Sequence, residues 1–134
     1  FTQRGLLNAT AIEQRSGELI DGYGVKTPTM HTPTRHLSGG NIQKVVIARE
    51  FSSSSDALVV AQPTRGVDIG AAEYIHERLL EQRSSGSAIL LISEDLDEIM
   101  QLSDRIIVVL EGEIMGEVSR ADATVKGIIA TKEC

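Results

Sequence analysis

The apolar residues of this chain gather into short runs separated by polar, glycine-rich breaks. Ala57-Leu58-Val59-Val60-Ala61, Ala88 to Ile92 and Ile106 to Leu110 are blocks without polar alternation. The first predicts a strand buried on both faces, the second another buried strand and the last a third strand. The segments between them carry helical spacing. Ala72, Ile75 and Leu79 mark one face of a helix over about 71–82, and Ser84-Ser85-Gly86 ends it. Leu96, Ile99 and Met100 mark a short helix. Glu111-Gly112 turns the third strand back into Ile114 to Val118 as a hairpin, and Ser119-Arg120-Ala121-Asp122 can cap a last helix through about Ala130. Strand and helix in alternation predict parallel pairing with right-handed crossovers, hence an α/β sheet.

The first third reads differently. Thr10-Ala11-Ile12-Glu13 has capping-box spacing and predicts a helix to about Ile20, with a thin apolar stripe of Ile12, Leu19 and Ile20. Asp21-Gly22-Tyr23-Gly24 is its stop. Residues 26–36 hold two prolines and four threonines and predict an ordered loop. A second helix follows from about Ser38 to Phe51, with Ile42, Val45, Val46, Ile47 and Ala48 on a broad buried face. Ser52 to Ser55 form a polar break. His76 sits at the edge of its helix face as a half-buried packing residue. His31 and His36 lack the Cys or carboxylate companions of a metal site.

Composition narrows the class. The 134 residues make one ordinary domain at most, and 41% hydrophobic with 24% charged residues predicts a packed core. A formal net charge of −6 argues against a nucleic-acid partner. Cys134 is the single cysteine, so no intrachain disulfide can form, which fits a reducing cytosol. The apolar runs fall far short of the roughly 20 residues a membrane helix needs. No signal peptide is visible, and the first residue is Phe, as expected of a fragment.

The chemistry concentrates in Leu37-Ser38-Gly39-Gly40-Asn41-Ile42-Gln43-Lys44. Ser38 can cap the following helix by accepting from its first-turn N–H groups. Gly39 and Gly40 have no side chain, so a phosphate can approach the main chain at a helix end that favours anions. Ser and Gly also begin helices for purely structural reasons, so local chemistry leaves both readings open.

The octet resembles the signature motif of ATP-binding cassette (ABC) ATPases, in the form found in sugar and nucleoside importers. Ala57 to Ala61 followed by Gln62-Pro63-Thr64-Arg65-Gly66-Val67-Asp68 resembles the Walker B strand and D-loop of the same family, at the family's spacing. The resemblance covers nearly the whole chain. It implies the second half of a P-loop nucleotide-binding domain: a helical subdomain with the signature over 1–55, and an α/β core over 56–134. No GxxxxGK[ST] run occurs in the sequence, so the Walker A half, which holds phosphates and Mg²⁺, is missing.

Three positions depart from the family. Where it has Asp-Glu-Pro-Thr, this chain has Ala61-Gln62-Pro63-Thr64, and Glu94 stands at the place of the switch histidine. Alanine cannot reach a metal, glutamine is no base at neutral pH, and a carboxylate repels a γ-phosphate. This half is therefore expected to hydrolyse ATP poorly or not at all. The resemblance further implies a head-to-tail dimer. In it Leu37, Ser38, Gly39, Gly40, Asn41 and Gln43 face the ATP of the partner domain, and Asp68 touches the partner's site. It also implies permease subunits, indirectly a solute-binding protein, and a place on the inner face of the cell membrane. ATP and Mg²⁺ belong to the complete dimer, and the isolated fragment is expected to be inactive and to self-associate through its unpaired strands. Two other readings compete: an ABC-type ATPase of DNA repair or chromosome maintenance, and a non-catalytic interaction module of the same fold. Sustained heptads and Cys pairs, which the first would carry, are missing from the sequence.

Overall fold

The computed structural model describes residues 2–3, 6–53 and 56–131. Two short strands, β1 (Thr2–Gln3) and β2 (Leu6–Leu7), pair antiparallel ahead of α1 (Ala9–Gly22). A 3-10 turn over Thr34–His36 leads to α2 (Gly39–Phe51). Then come β3 (Ala57–Ala61), α3 (Ile69–Ser84), β4 (Ala88–Ile92), α4 (Leu96–Leu102), β5 (Arg105–Leu110), β6 (Glu113–Ser119) and α5 (Val125–Thr131). Cys134 and Ser54–Ser55 lie outside the described residues. Among the described residues no helix is long and apolar enough to cross a membrane.

The fold resolves into two compact units: residues 1–58 with 63–88, and residues 59–62 with 89–134. The boundary passes through β3 and β4. Asp56 O accepts from Ala88 N at one end of that strand pair, and Gln62 N donates to Ile92 O at the other. Partners advance together along both strands, so β3 and β4 run parallel, as a strand-helix-strand sequence requires.

In the first unit α1, α2 and α3 bury Val25, Ile47, Ala48, Ala71, Ile75 and Leu79. Ile75 is only 1% exposed. Shortening it to alanine removes buried methyl groups and leaves a cavity beneath α3. Ile75→Ala is expected to destabilise the chain by about 2–5 kcal/mol, read as a lower denaturation midpoint with an unchanged denaturant slope.

Several local expectations change. α1 starts one residue before Thr10, and Asn8 is its cap, accepting from Ala11 N at 3.1 Å. The buried stripe of α3 begins at Ala71 rather than Ala72. On α2 only Ile47 and Ala48 are buried, while Ile42 and Val46 are more than a third exposed. β3 and β4 are not covered on both faces: Val59 is 72% exposed, and Leu90 and Ile92 are exposed too. Exposed and half-buried positions alternate along both strands, so one face of the pair is bare and the other is partly covered.

The second unit follows the hairpin expectation closely. β5 and β6 pair antiparallel with Leu110 opposite Glu113. Glu111 and Gly112 both take positive φ, 51 and 86, as a two-residue hairpin loop matched to strand twist requires. The register skips Met115 between the Val108–Gly116 and Val109–Ile114 pairs, which makes a bulge. The expected cap of the last helix is different. Ser119 Oγ donates to Asp122 Oδ2 at 2.7 Å, closing a turn, and Thr124 Oγ1 caps α5 by accepting from Gly127 N at 3.0 Å.

Candidate functional site

Ser38 sits at the N-cap of α2 in extended backbone conformation, and its carbonyl accepts the first helical bond from Ile42 N. Its hydroxyl does not cap the helix, contrary to expectation; it accepts from Asn41 Nδ2 at 3.0 Å. Asn41 is one turn away on the same face, and its amide oxygen accepts from Lys26 N at 2.8 Å. The first-turn N–H groups of α2 are thereby spared the side-chain acceptor that ordinarily occupies them.

The two glycines prove unlike. Gly39 is exposed, and a Cβ placed on it would meet only Gly66 O at 3.8 Å. A Cβ on Gly40 would come within 3.2 Å of the Ala71 methyl and 3.6 Å of Asp68 Oδ2. Gly40 is therefore small because α2 and α3 cross closely there, a packing reason independent of any ligand. Gln43 faces inward to the same neighbourhood: Nε2 donates to Pro63 O at 3.0 Å. Leu37 is half-buried ahead of the helix.

Asp68 has a structural task. It is the N-cap of α3, and Oδ1 accepts from Ala71 N at 2.9 Å. Asp68→Ala is expected to cost about 1 kcal/mol of stability, and Asp68→Asn much less, because the amide oxygen still accepts. Thermal melts of both variants check this; equal losses would show that charge rather than capping matters.

A cation–aromatic cluster that sequence reading missed fixes the rest of α2. Lys44 Nζ lies 4.5 Å from the centre of the Tyr74 ring and donates to Gly24 O at 3.2 Å. The Arg78 guanidinium stacks 5.0 Å from Tyr74 and 5.7 Å from Tyr23, and pairs with Glu81 at 2.7 Å. Burial pushes the Tyr74 phenol above its ordinary range, with the Arg78 charge pulling the other way. The i, i+4 spacing of Tyr74 and Arg78 was visible in the sequence. Their partners on other helices were not.

In the second unit Ala61, Gln62 and Glu94 gather at the carboxyl ends of β3 and β4, the edge where ligands bind in open parallel sheets. Gln62 holds a positive φ of 49, rare for a residue with a side chain. Its N–H bonds to Ile92 O at 2.8 Å, and its Oε1 accepts from Glu94 N at a long 3.5 Å. Of these three side chains only Glu94 is a carboxylate, and among the described residues no group of three or more His, Cys, Asp or Glu comes together to hold a metal ion, so this trio alone does not make a Mg²⁺ shell. The exposed Ser38–Gly39 end of α2, with its first turn uncapped by side chain, does fit a phosphate oxygen.

No protein-family model matches the chain. Individual relatives do. Over 124 residues, 92% of its length, the chain is 46% identical to the guanosine import ATP-binding protein NupO of Bacillus subtilis. Over 106 residues, 79% of its length, it is 54% identical to the glucose import ATP-binding protein TsgD13 of Haloferax volcanii. The chain belongs to the ATP-binding cassette family. It spans about a quarter of the length of the first of these curated relatives and a fifth of the second, 24% and 19%. A bacterial ABC transporter cassette solved as a dimer shares the fold, with a TM-score of 0.72 at 24% identity, over 88% of this chain and 51% of that one. This cassette chain thus carries the P-loop-type α/β fold expected of it, in part. The relatives named are import proteins, and the DNA-repair reading finds no support in them.

Proposed function

We propose that this cassette chain is part of the ATP-binding subunit of an ABC importer for a nucleoside or a simple sugar. The observation that carries it is the 46% identity to a guanosine import ATP-binding protein across 92% of the chain. In this reading Ser38 and Gly39 face the ATP of a second, head-to-tail cassette, and Asp68 stands beside them in the D-loop. Gly40, Asn41 and Gln43 hold that face in shape rather than touching phosphate. Ala61, Gln62 and Glu94 mark an edge that does not turn over ATP itself. Mg²⁺ belongs to the opposite site, where the partner supplies its ligands. Permease subunits and a solute-binding protein complete the importer, and the cassettes lie against the inner face of the membrane.

The experiment is uptake. Cells carrying the complete gene should accumulate labelled guanosine or ribose in an ATP-dependent way, and a deletion strain should lose that uptake. Uptake of both solutes unchanged by deletion would overturn the importer reading.

Taken alone, the 134-residue chain should self-associate, because Val59, Leu90 and Ile92 present apolar side chains on a two-stranded sheet. Sedimentation velocity at rising concentration should show oligomers; a clean monomer throughout would contradict this.

A further inference from the structure

The N-terminal half of α2 is placed by polar bonds more than by apolar packing. Its buried residues, Ile47 and Ala48, sit near its far end, and Ile42 and Val46 face out. A helix anchored by packing at one end can tilt about that end unless something holds the other. Three side chains supply the hold: Asn41 and Lys44 bind the 24–26 segment, through Lys26 N and Gly24 O, Lys44 also lies over the Tyr74 ring, and Gln43 bonds to Pro63 O. Of these, the Gln43 bond alone reaches the turn after β3. That turn is itself ordered by Val67 N to Thr64 O at 3.3 Å, by Gly66 at a φ of 74, and by the Asp68 cap on α3. Beside it, α2 comes close to α3 at Gly40, where only a missing side chain keeps clear of the Ala71 methyl, so no interlocking side chain fixes the two helices at that point.

We propose that Gln43 is a positioning residue: through its bond to the Pro63 carbonyl it makes the N-terminal end of α2 and the 63–71 segment move as one body. The consequence, which rests on the importer reading above, is that Ser38–Gly39 and Asp68 reach a partner's nucleotide in a fixed mutual geometry. The bond stands on contacts within the chain. Gln43 then acts on phosphate only through the helix end it aims.

Amide hydrogen exchange of the complete protein that contains this chain, without nucleotide, tests the coupling. Gln43→Met keeps the length and removes the donor, Gln43→Glu replaces the donor with an acceptor, and Gln43→Lys restores a donor of similar reach. The first two should speed exchange about tenfold at Ile42, Ala71 and Ala72, and Gln43→Lys should return it to within about twofold of the parent. Exchange in the β5–β6 hairpin should stay unchanged in all three. Unaltered exchange at Ile42, Ala71 and Ala72 would overturn the proposal. So would acceleration shared equally by the hairpin, or failure of the lysine variant to restore protection. No arm contains nucleotide, so these failures remove the coupling and leave the importer reading standing; loss of the uptake result does the reverse.

Discussion

In the complete protein, on the importer reading proposed above, Ser38→Ala and Gly39→Asp are expected to cut steady-state ATP turnover about 10²–10³-fold, and Gln62→Ala to cut it less than about threefold. The difference follows from where the residues stand. Ser38 and Gly39 form the exposed, uncapped end of α2, and donors aimed at a transferring phosphoryl group act strongly in a water-poor pocket. A Cβ at position 39 meets only Gly66 O at 3.8 Å, ordinary contact, so a side chain can start there, and the carboxylate of Asp repels the γ-phosphate. Gln62 belongs to an edge with a methyl at position 61 and a carboxylate at 94, so little turnover remains there to lose. Initial rates beside the parent, with melting temperatures as a folding check, decide the matter. Equal damage from all three variants, or damage from Gln62→Ala alone, would mean that the competent and incompetent sites are assigned the wrong way round.

The 134-residue chain alone is expected to bind MgATP no more tightly than about 1 mM, roughly a thousandfold weaker than a micromolar nucleotide site. Its sequence has no Gly-rich loop with Lys and Ser/Thr to surround the β- and γ-phosphates. What it offers is one helix end, worth about 0.3–2 kcal/mol towards an anion, and that cannot sustain micromolar affinity. Titration calorimetry reads this directly. A micromolar dissociation constant would show that another part of the chain grips nucleotide.

Much of the fold was legible because it depends on neighbours along the chain. The strands over 57–61 and 88–92 fall where unbroken apolar blocks predict them. The Glu111-Gly112 hairpin loop falls at its predicted place for the same local reason: few residue pairs tolerate two consecutive positive φ angles. The caps were harder. Asn8 and Thr10 both offer an acceptor, as do Ser119 and Thr124, and the direction from which the chain enters each helix chooses between them.

The site divides along the same line. Sequence alone determined that the chain carries a signature-like octet, a Walker B-like strand and a D-loop-like segment in order, and that positions 61 and 62 hold a methyl and an amide, with a carboxylate at 94. Those are properties of residue type and spacing, which a string of letters contains. Only the tertiary structure decided what each residue touches. It turned the Ser38 hydroxyl towards Asn41, made Gly40 a packing glycine against Ala71, gave Asp68 to the start of α3, and joined Gln43 to Pro63. It also left Val59 and Leu90 bare where the apolar pattern predicted burial. Each of these outcomes depends on surfaces brought together from distant parts of the chain, and a side chain's hydrogen-bond partner or cover is set by that proximity, not by its own chemistry.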